Sequence, residues 1–273
     1  MNFFFGLTVL LYILSTIFYF KYIYIQKDSV HKKGFVLFLC GFICHTSVLG
    51  VGYVTEGHLP VQNLHETLSV FGWSIAAVFF FINYRFNLKV LGALVAPLSA
   101  LSVGISTLIP DTPAPIGDMI KSIWVTIHVI STFLGNAAFA VAFAVGVLYL
   151  IQEHAIKSKK RGFFYSRLPS LDLLDQMGYT SVALGFPMLT FGIVTGCIYA
   201  QIIWGRYWSW DPKEVWSLIT WLIYAALLHE RLTAGWRGRR AAYFSILGFV
   251  ILLFTFLGVN FFLKGHHGVF TQW

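Results

Sequence analysis

The feature that most restricts what this chain can fold into is a series of long apolar runs almost free of charge. Eight of them can be drawn, about 3–21, 34–55, 66–83, 88–109, 120–151, 179–203, 212–232 and 242–263. Each is close to the ~20 residues that a helix needs to cross a bilayer core. Hydrocarbon offers the backbone no hydrogen-bond partner, so such runs must become helices. The expected fold is all-α: a polytopic membrane protein of about eight transmembrane helices, with residues 1–273 forming one integral membrane domain. At 11% charged residues and a mean hydropathy of +0.74, the chain has too little polar surface for a soluble protein of this size. Pro97 and Pro187 fall inside two runs and predict kinks there. The first run has no basic residue before it and no small-residue cleavage site after it, so a permanent span is expected rather than a removable signal.

The net charge of +8 raises nucleic-acid binding as an option, and the placement of the charges excludes it. Fifteen of the nineteen basic residues fall in alternate connections, which the positive-inside rule places in the cytoplasm. Only Lys121, Arg206, Lys213 and Lys264 fall on the other side. Both termini and the 204–216 segment are therefore expected to be extracytoplasmic. The long cytoplasmic connection 152–178 contains "SLDLLDQM", which reads as a short interfacial helix. Cys40, Cys44 and Cys197 all lie in apolar runs and read as small buried hydrophobes rather than a disulfide framework.

One polar loop stands out. "WGRYWSWDPKEVWSLITW", residues 204–221, holds five tryptophans around an Asp-Pro pair. Asp211 suits an N-cap, Pro212 the first helical position, and Glu214 the third position of a capping box. Trp210 and Val215 occupy the positions of a hydrophobic staple. An interfacial aromatic belt would place tryptophans on both faces, whereas here eight lie in the outer half and only Trp236 inside. Clustered indoles suit a large planar ligand, and Arg206 and Lys213 could pair with its carboxylates. Such a description fits haem, which also needs axial imidazoles. His128 lies at the outer end of the fifth run, His266 and His267 follow the eighth, His45 is mid-membrane, and His229 lies toward the cytoplasmic end of the seventh. His58 and His65 lie in an outward loop, and His31 and His154 in cytoplasmic segments.

These residues resemble the WWD haem-handling family, and within it the CcsA/ResC subunits of the system II cytochrome c synthase. The tryptophan loop resembles the WWD signature itself. "VQNLHETLSVFGW" resembles the family's Asn-Leu-Tyr-Glu-Ser segment, with His65 for Tyr and Thr67 for Ser. "WVTIHVISTFLGNAAF" resembles the helix with the first external histidine, here His128. "WLIYAALLHERL" resembles the helix with the intramembrane histidine, here His229. "GVNFFLKGHHGVF" resembles the terminal segment with the second external histidine, which falls at His267, with His266 where the family has Leu.

The resemblance implies cytochrome c biogenesis. Haem b, as carried cofactor and substrate, would enter near His229 and be presented at the WWD surface. There His128 and His267 would hold its iron, with His266 as a neighbouring candidate, and Trp204, Trp208, Trp210, Asp211 and Arg206 would surround it. An apocytochrome c with a Cys-x-x-Cys-His motif would receive it by thioether attachment. The partner implied is a CcsB/ResB-type membrane subunit, which would supply a second ligand opposite His229, with His45 the in-chain alternative. The membrane implied is a bacterial cytoplasmic membrane, or else a thylakoid. Two other classes fit the composition: a membrane b-type cytochrome pairing His45 with His229, and a transporter without cofactor.

Overall fold

A computed structural model of the chain describes residues 2–110, 121–159, 162–163, 165–263 and 265. These form eight helical rods: α1 Asn2–Ile25, α2 Asp28–Glu56, α3 Leu64–Phe86, α4 Gly92–Ser106, α5 Ile123–Lys157, α6 Leu171–Trp204, α7 Pro212–Thr233 and α8 Arg239–Leu253. The last rod continues through a five-residue π-helical turn, Phe254–Gly258, into a final turn Val259–Phe262. The chain is a multi-pass helical membrane protein, as the apolar runs require.

Six rods are long and apolar enough to cross a bilayer. The other two differ from the expectation of eight equal spans. α4 is confined to 15 residues, about 22 Å of rise, and α7 has the length but carries Lys213, Glu214, His229, Glu230 and Arg231. Pro97 and Pro187 both lie inside continuous helices. "SLDLLDQM" is not a separate interfacial helix. Ser170 caps α6 by accepting from the Leu173 amide at 3.3 Å, and Leu174 and Met177 are buried from the first turns onward. Nothing in residues 171–186 breaks the helix, so its cytoplasmic turns and the span form one rod.

Helix α1 packs on α2 and α4, and α3 on α4; α5 packs on α6 and α8, and α7 on the same two. Contact of α3 with α5 joins the two sets of four. Small residues set the closest approaches, as is usual between helices in lipid. Ala137, Ala138, Ala140 and Ala142 of α5 are wholly buried. A Cβ at Gly135 would lie 2.8 Å from the Leu189 amide nitrogen, so α5 and α6 touch backbone to backbone there. At the end remote from the tryptophan loop, Arg231 grips Asp175 with two hydrogen bonds of 3.0 and 2.7 Å, and Asp175 also accepts from the Gly238 amide. That contact ties α6, α7 and the start of α8 together.

Candidate functional site

The start of α7 is built as its sequence predicts. Asp211 accepts from the Lys213 amide at 2.9 Å, and Glu214 returns the bond by accepting from the Asp211 amide at 3.2 Å. Glu214 does more than complete the box. Its carboxylate also accepts from the Ser209 amide at 2.8 Å and the Ser209 hydroxyl at 3.0 Å, which folds the loop 205–210 back onto the helix. The loop leaves α6 through Gly205, a left-handed C-cap at φ 69°.

Between this loop and the bundle of α5 to α8 lies a cavity of about 280 Å³, near the lower end of the range for small-molecule sites. Trp204, Tyr207 and Trp208 line it from the loop side, with Lys213, Glu214 and Ser217 from the start of α7. His128 and Asn136 line it from α5, Gly196 and Cys197 from α6, and Thr255, Phe256 and Asn260 from the π-turn and beyond. The wall is mostly apolar and aromatic with a few polar groups at different heights.

His128 is the one histidine of this wall among the described residues. Its Nδ1 lies 2.7 Å from the carbonyl oxygen of Gly192. A carbonyl only accepts, so Nδ1 carries a proton, and when the ring is neutral its lone pair is at Nε2. This is the way a ligating imidazole is usually oriented from behind. Gly196 makes the recess for the ring: a Cβ there would lie 2.7 Å from Nδ1 and 2.8 Å from Cε1.

The five tryptophans divide. Trp204 and Trp208 line the cavity. Trp210 meets Trp208 edge to face at 6.0 Å but is 75% exposed and outside the lining, so it forms neither the cavity wall nor the expected staple. Its backbone is left-handed at φ 59°, which turns the indole away from the helix it precedes. Trp216 packs on Phe254. Trp221 donates from Nε1 to Thr190 at 2.8 Å, tying α7 to α6. Of the two cations expected to meet a carboxylate, Lys213 lines the cavity, whereas Arg206 is exposed in the loop and is not part of the lining.

The other sequence-singled histidines lie elsewhere. His45 is 0% exposed among α1, α2 and α3, with Tyr12 at 3.4 Å from Nδ1 and Ser69 at 2.9 Å from Nε2. His229 is exposed on α7. The pair are thus not brought together, and both nitrogens of His45 are already engaged by neighbouring helices. His65 sits in the first turn of α3, its Nδ1 2.7 Å from the Ser106 carbonyl. His266 and His267 lie outside the described residues; Gly265, directly before them, is described and abuts Asp211.

Tyr207, Asn136 and Asn260 were not singled out by the sequence, and Cys197, read there as a small buried hydrophobe, is half-buried on the cavity wall. Two of them had a signal, since an amide side chain inside an apolar run is expensive unless it faces a cavity or a partner. The π-turn that carries Thr255 and Phe256 had none, because a one-residue change of helical register leaves the apolar pattern almost intact.

The family model described as "Cytochrome C assembly protein" matches residues 61–267. Among curated proteins, the chain is 35% identical to the "Cytochrome c biogenesis protein CcsA" of Guillardia theta, over 97% of this chain and 95% of that one. It is 33% identical to the protein of the same name from Microcystis aeruginosa, over 82% and 83% of the two chains. Among solved structures it is similar to "Cytochrome c Heme Lyase CcmF" at a TM-score of 0.66 and 18% identity. That match covers 97% of this chain but 47% of the longer CcmF chain, and at that identity it speaks to the fold.

Proposed function

Because this chain belongs to the cytochrome C assembly protein family, we propose that it takes part in cytochrome c biogenesis as the subunit that holds haem for attachment. On this reading residues 1–273 act as one membrane domain in a bacterial or thylakoid membrane, with the tryptophan loop and both termini outside the cytoplasm. The cavity beneath that loop holds haem b as substrate. The observation that carries the reading is the arrangement at His128: its imidazole lies on the wall of a cavity faced by Trp204, Tyr207 and Trp208, oriented by the bond from Nδ1 to the Gly192 carbonyl.

The roles follow from the chemistry. His128 ligates the iron from one side, and His267, or its neighbour His266, from the other. Trp204 and Trp208 offer flat apolar faces to the porphyrin. Lys213, which lines the cavity, is placed to meet a propionate better than the exposed Arg206. A thiol of the acceptor's Cys-x-x-Cys-His adds across a haem vinyl group: the C–S bond forms at one carbon, the thiol proton ends on the other, and nothing leaves. A reaction of this kind needs orientation above all, which a rigid cavity supplies. For release, the acceptor's histidine replaces one of the two imidazoles. His229, exposed on α7, ligates haem with a second ligand from a CcsB/ResB-type partner, because His45 is enclosed by other helices.

The test is haem content and acceptor maturation for His128→Ala, His229→Ala, His266→Ala and His267→Ala, each expressed with the partner subunit. Loss of haem at the site in His128→Ala, with partial return of maturation on adding imidazole, is the expected result. Normal maturation by His128→Ala would remove the basis of the reading.

A further inference from the structure

We propose that Asp211 is a positioning residue whose carboxylate seats the backbone of Gly265, and thereby fixes where the chain leading to His266 and His267 begins relative to the cavity. The importance of that segment rests on the reading given above, but the seat itself rests on geometry.

Asp211 is far more enclosed than an N-cap needs to be. It is 4% exposed, although the loop before it is largely open. What covers it includes Gly265, 54 residues further along the chain. A Cβ built on Gly265 would lie 3.0 Å from the carboxylate carbon and 3.1 Å from Oδ1, with Oδ2 closer still. Gly265 does not have a left-handed φ, so the backbone conformation does not call for glycine there. Space does. The carboxylate cannot swing aside freely, because Oδ1 is held by the Lys213 amide at 2.9 Å.

Capping alone leaves the choice of Asp unexplained, since Ser, Thr or Asn cap about as well. A planar carboxylate that caps α7 with one oxygen and carries a passing backbone with its other side does both tasks at once. The next two residues after Pro212 are Lys213 and Glu214, which line the cavity. The cap, the cavity wall and the departure point of the C-terminal segment are therefore one unit. Two residues of chain reach at most about 7 Å, so a shift of Gly265 is passed on to a ligand at 267 with little slack to absorb it.

The test uses the full chain, haem-free and solubilised in detergent. Trypsin cleaves after Lys264, and mass spectrometry follows release of the nine-residue peptide that begins at Gly265. Asp211→Ser keeps a capping oxygen but shortens the seat. Asp211→Ser and Gly265→Ala are each expected to speed release by at least about fivefold, the factor that one ordinary cap makes in a local opening equilibrium. In the double variant the smaller serine leaves room for the alanine, so release is expected to be no faster than with Asp211→Ser alone. Wild-type rates in both single variants would overturn the proposal, and so would two effects that multiply independently, as they do for residues not in contact. If Gly265→Ala fails to accumulate, Asp211→Ser alone decides by the same criterion. Haem per protein, measured on the same variants, separates the two claims: faster release with unchanged haem keeps the seat and removes the iron-ligand role of the segment.

Discussion

Gly196→Ala tests the recess behind His128 without replacing the imidazole itself. The added methyl would lie 2.7 Å from Nδ1, against the ~3.5 Å at which such atoms rest. Either the ring retreats by about 0.8 Å or α5 and α6 part by a similar distance. In both cases the 2.7 Å bond from Nδ1 to the Gly192 carbonyl stretches to roughly 3.5 Å, the limit for a hydrogen bond. The lost bond costs about 1 kcal/mol and the overpacking about 1–3 kcal/mol. Alanine returns about 1 kcal/mol as the better helix former, so the net loss of stability is about 1–3 kcal/mol. The effect on iron is expected to be larger than that on folding, because loss of an orienting partner typically weakens a metal site by about 10- to 100-fold. The assay is haem bound per protein at limiting haem, read from the absorbance near 400 nm, with thermal stability measured alongside. Gly104→Ala is the control: nothing lies within 4 Å of its Cβ position, so it should match or slightly exceed wild-type stability and bind haem normally. Gly196→Ala protein that binds haem with wild-type affinity and an unshifted absorption band would refute the reasoning about His128.

Three further outcomes are expected. Glu214→Ala removes the acceptor of three hydrogen bonds and should cost about 2–4 kcal/mol, with Glu214→Gln costing less because one oxygen remains; equal melting temperatures for both variants and wild type would contradict the clamp. Trp204→Ala and Trp208→Ala should each lower haem occupancy, whereas Trp210→Ala should leave it near wild type, since only the first two line the cavity; absorbance of the three purified proteins decides the point. Arg231→Ala strands the carboxylate of Asp175 and should destabilise the protein by about 3 kcal/mol in thermal denaturation, and the proposed haem site, at the other end of the bundle, should bind normally in whatever fraction is folded.

What could be read from the sequence was what depends on nearest neighbours. The apolar runs located the rods, and Asp211, Pro212 and Glu214 located the start of α7 to the residue. His128 was marked by its place at the end of an apolar run, and the cavity indeed includes it. What could not be read depends on contacts between distant segments. Trp210 looks like Trp208 in sequence, yet a single left-handed backbone angle turns it outward. The start of α6 was missed because Asp172 and Asp175 mark a membrane boundary by their charge, while a helix can continue through that boundary into water. The seat of Gly265 on Asp211 has no local signature at all, since the two residues are 54 apart in the chain and only folding brings them together.

The two ends of the α5–α8 bundle bear on how cargo could reach the cavity. The cavity under the tryptophan loop descends as far as Asn136, Leu189, Thr220 and Leu252. A much smaller one at the other end rises to Ala142, Val182, Leu227 and Ser245. On every helix six or seven residues, about 10 Å of rise, separate the two. Phe139 and Tyr224 fill that gap, both fully buried and stacked face to face at 3.5 Å. Gly185 and Gly248 let them in: a Cβ at either would meet the Phe139 or the Tyr224 ring at under 3 Å. A porphyrin moving along the bundle axis would have to part four closely packed helices at this plug. His229 faces the other way, exposed on the outer side of α7 in one stripe with Leu222 and Ala226. On the proposed reading, haem held at His229 therefore travels outside the bundle, along α7, and enters the cavity from its side. A lone helix face in lipid cannot enclose a porphyrin carrying two carboxylates. The route then requires a second wall, and the reading that gives His229 a role also gives the partner subunit its place.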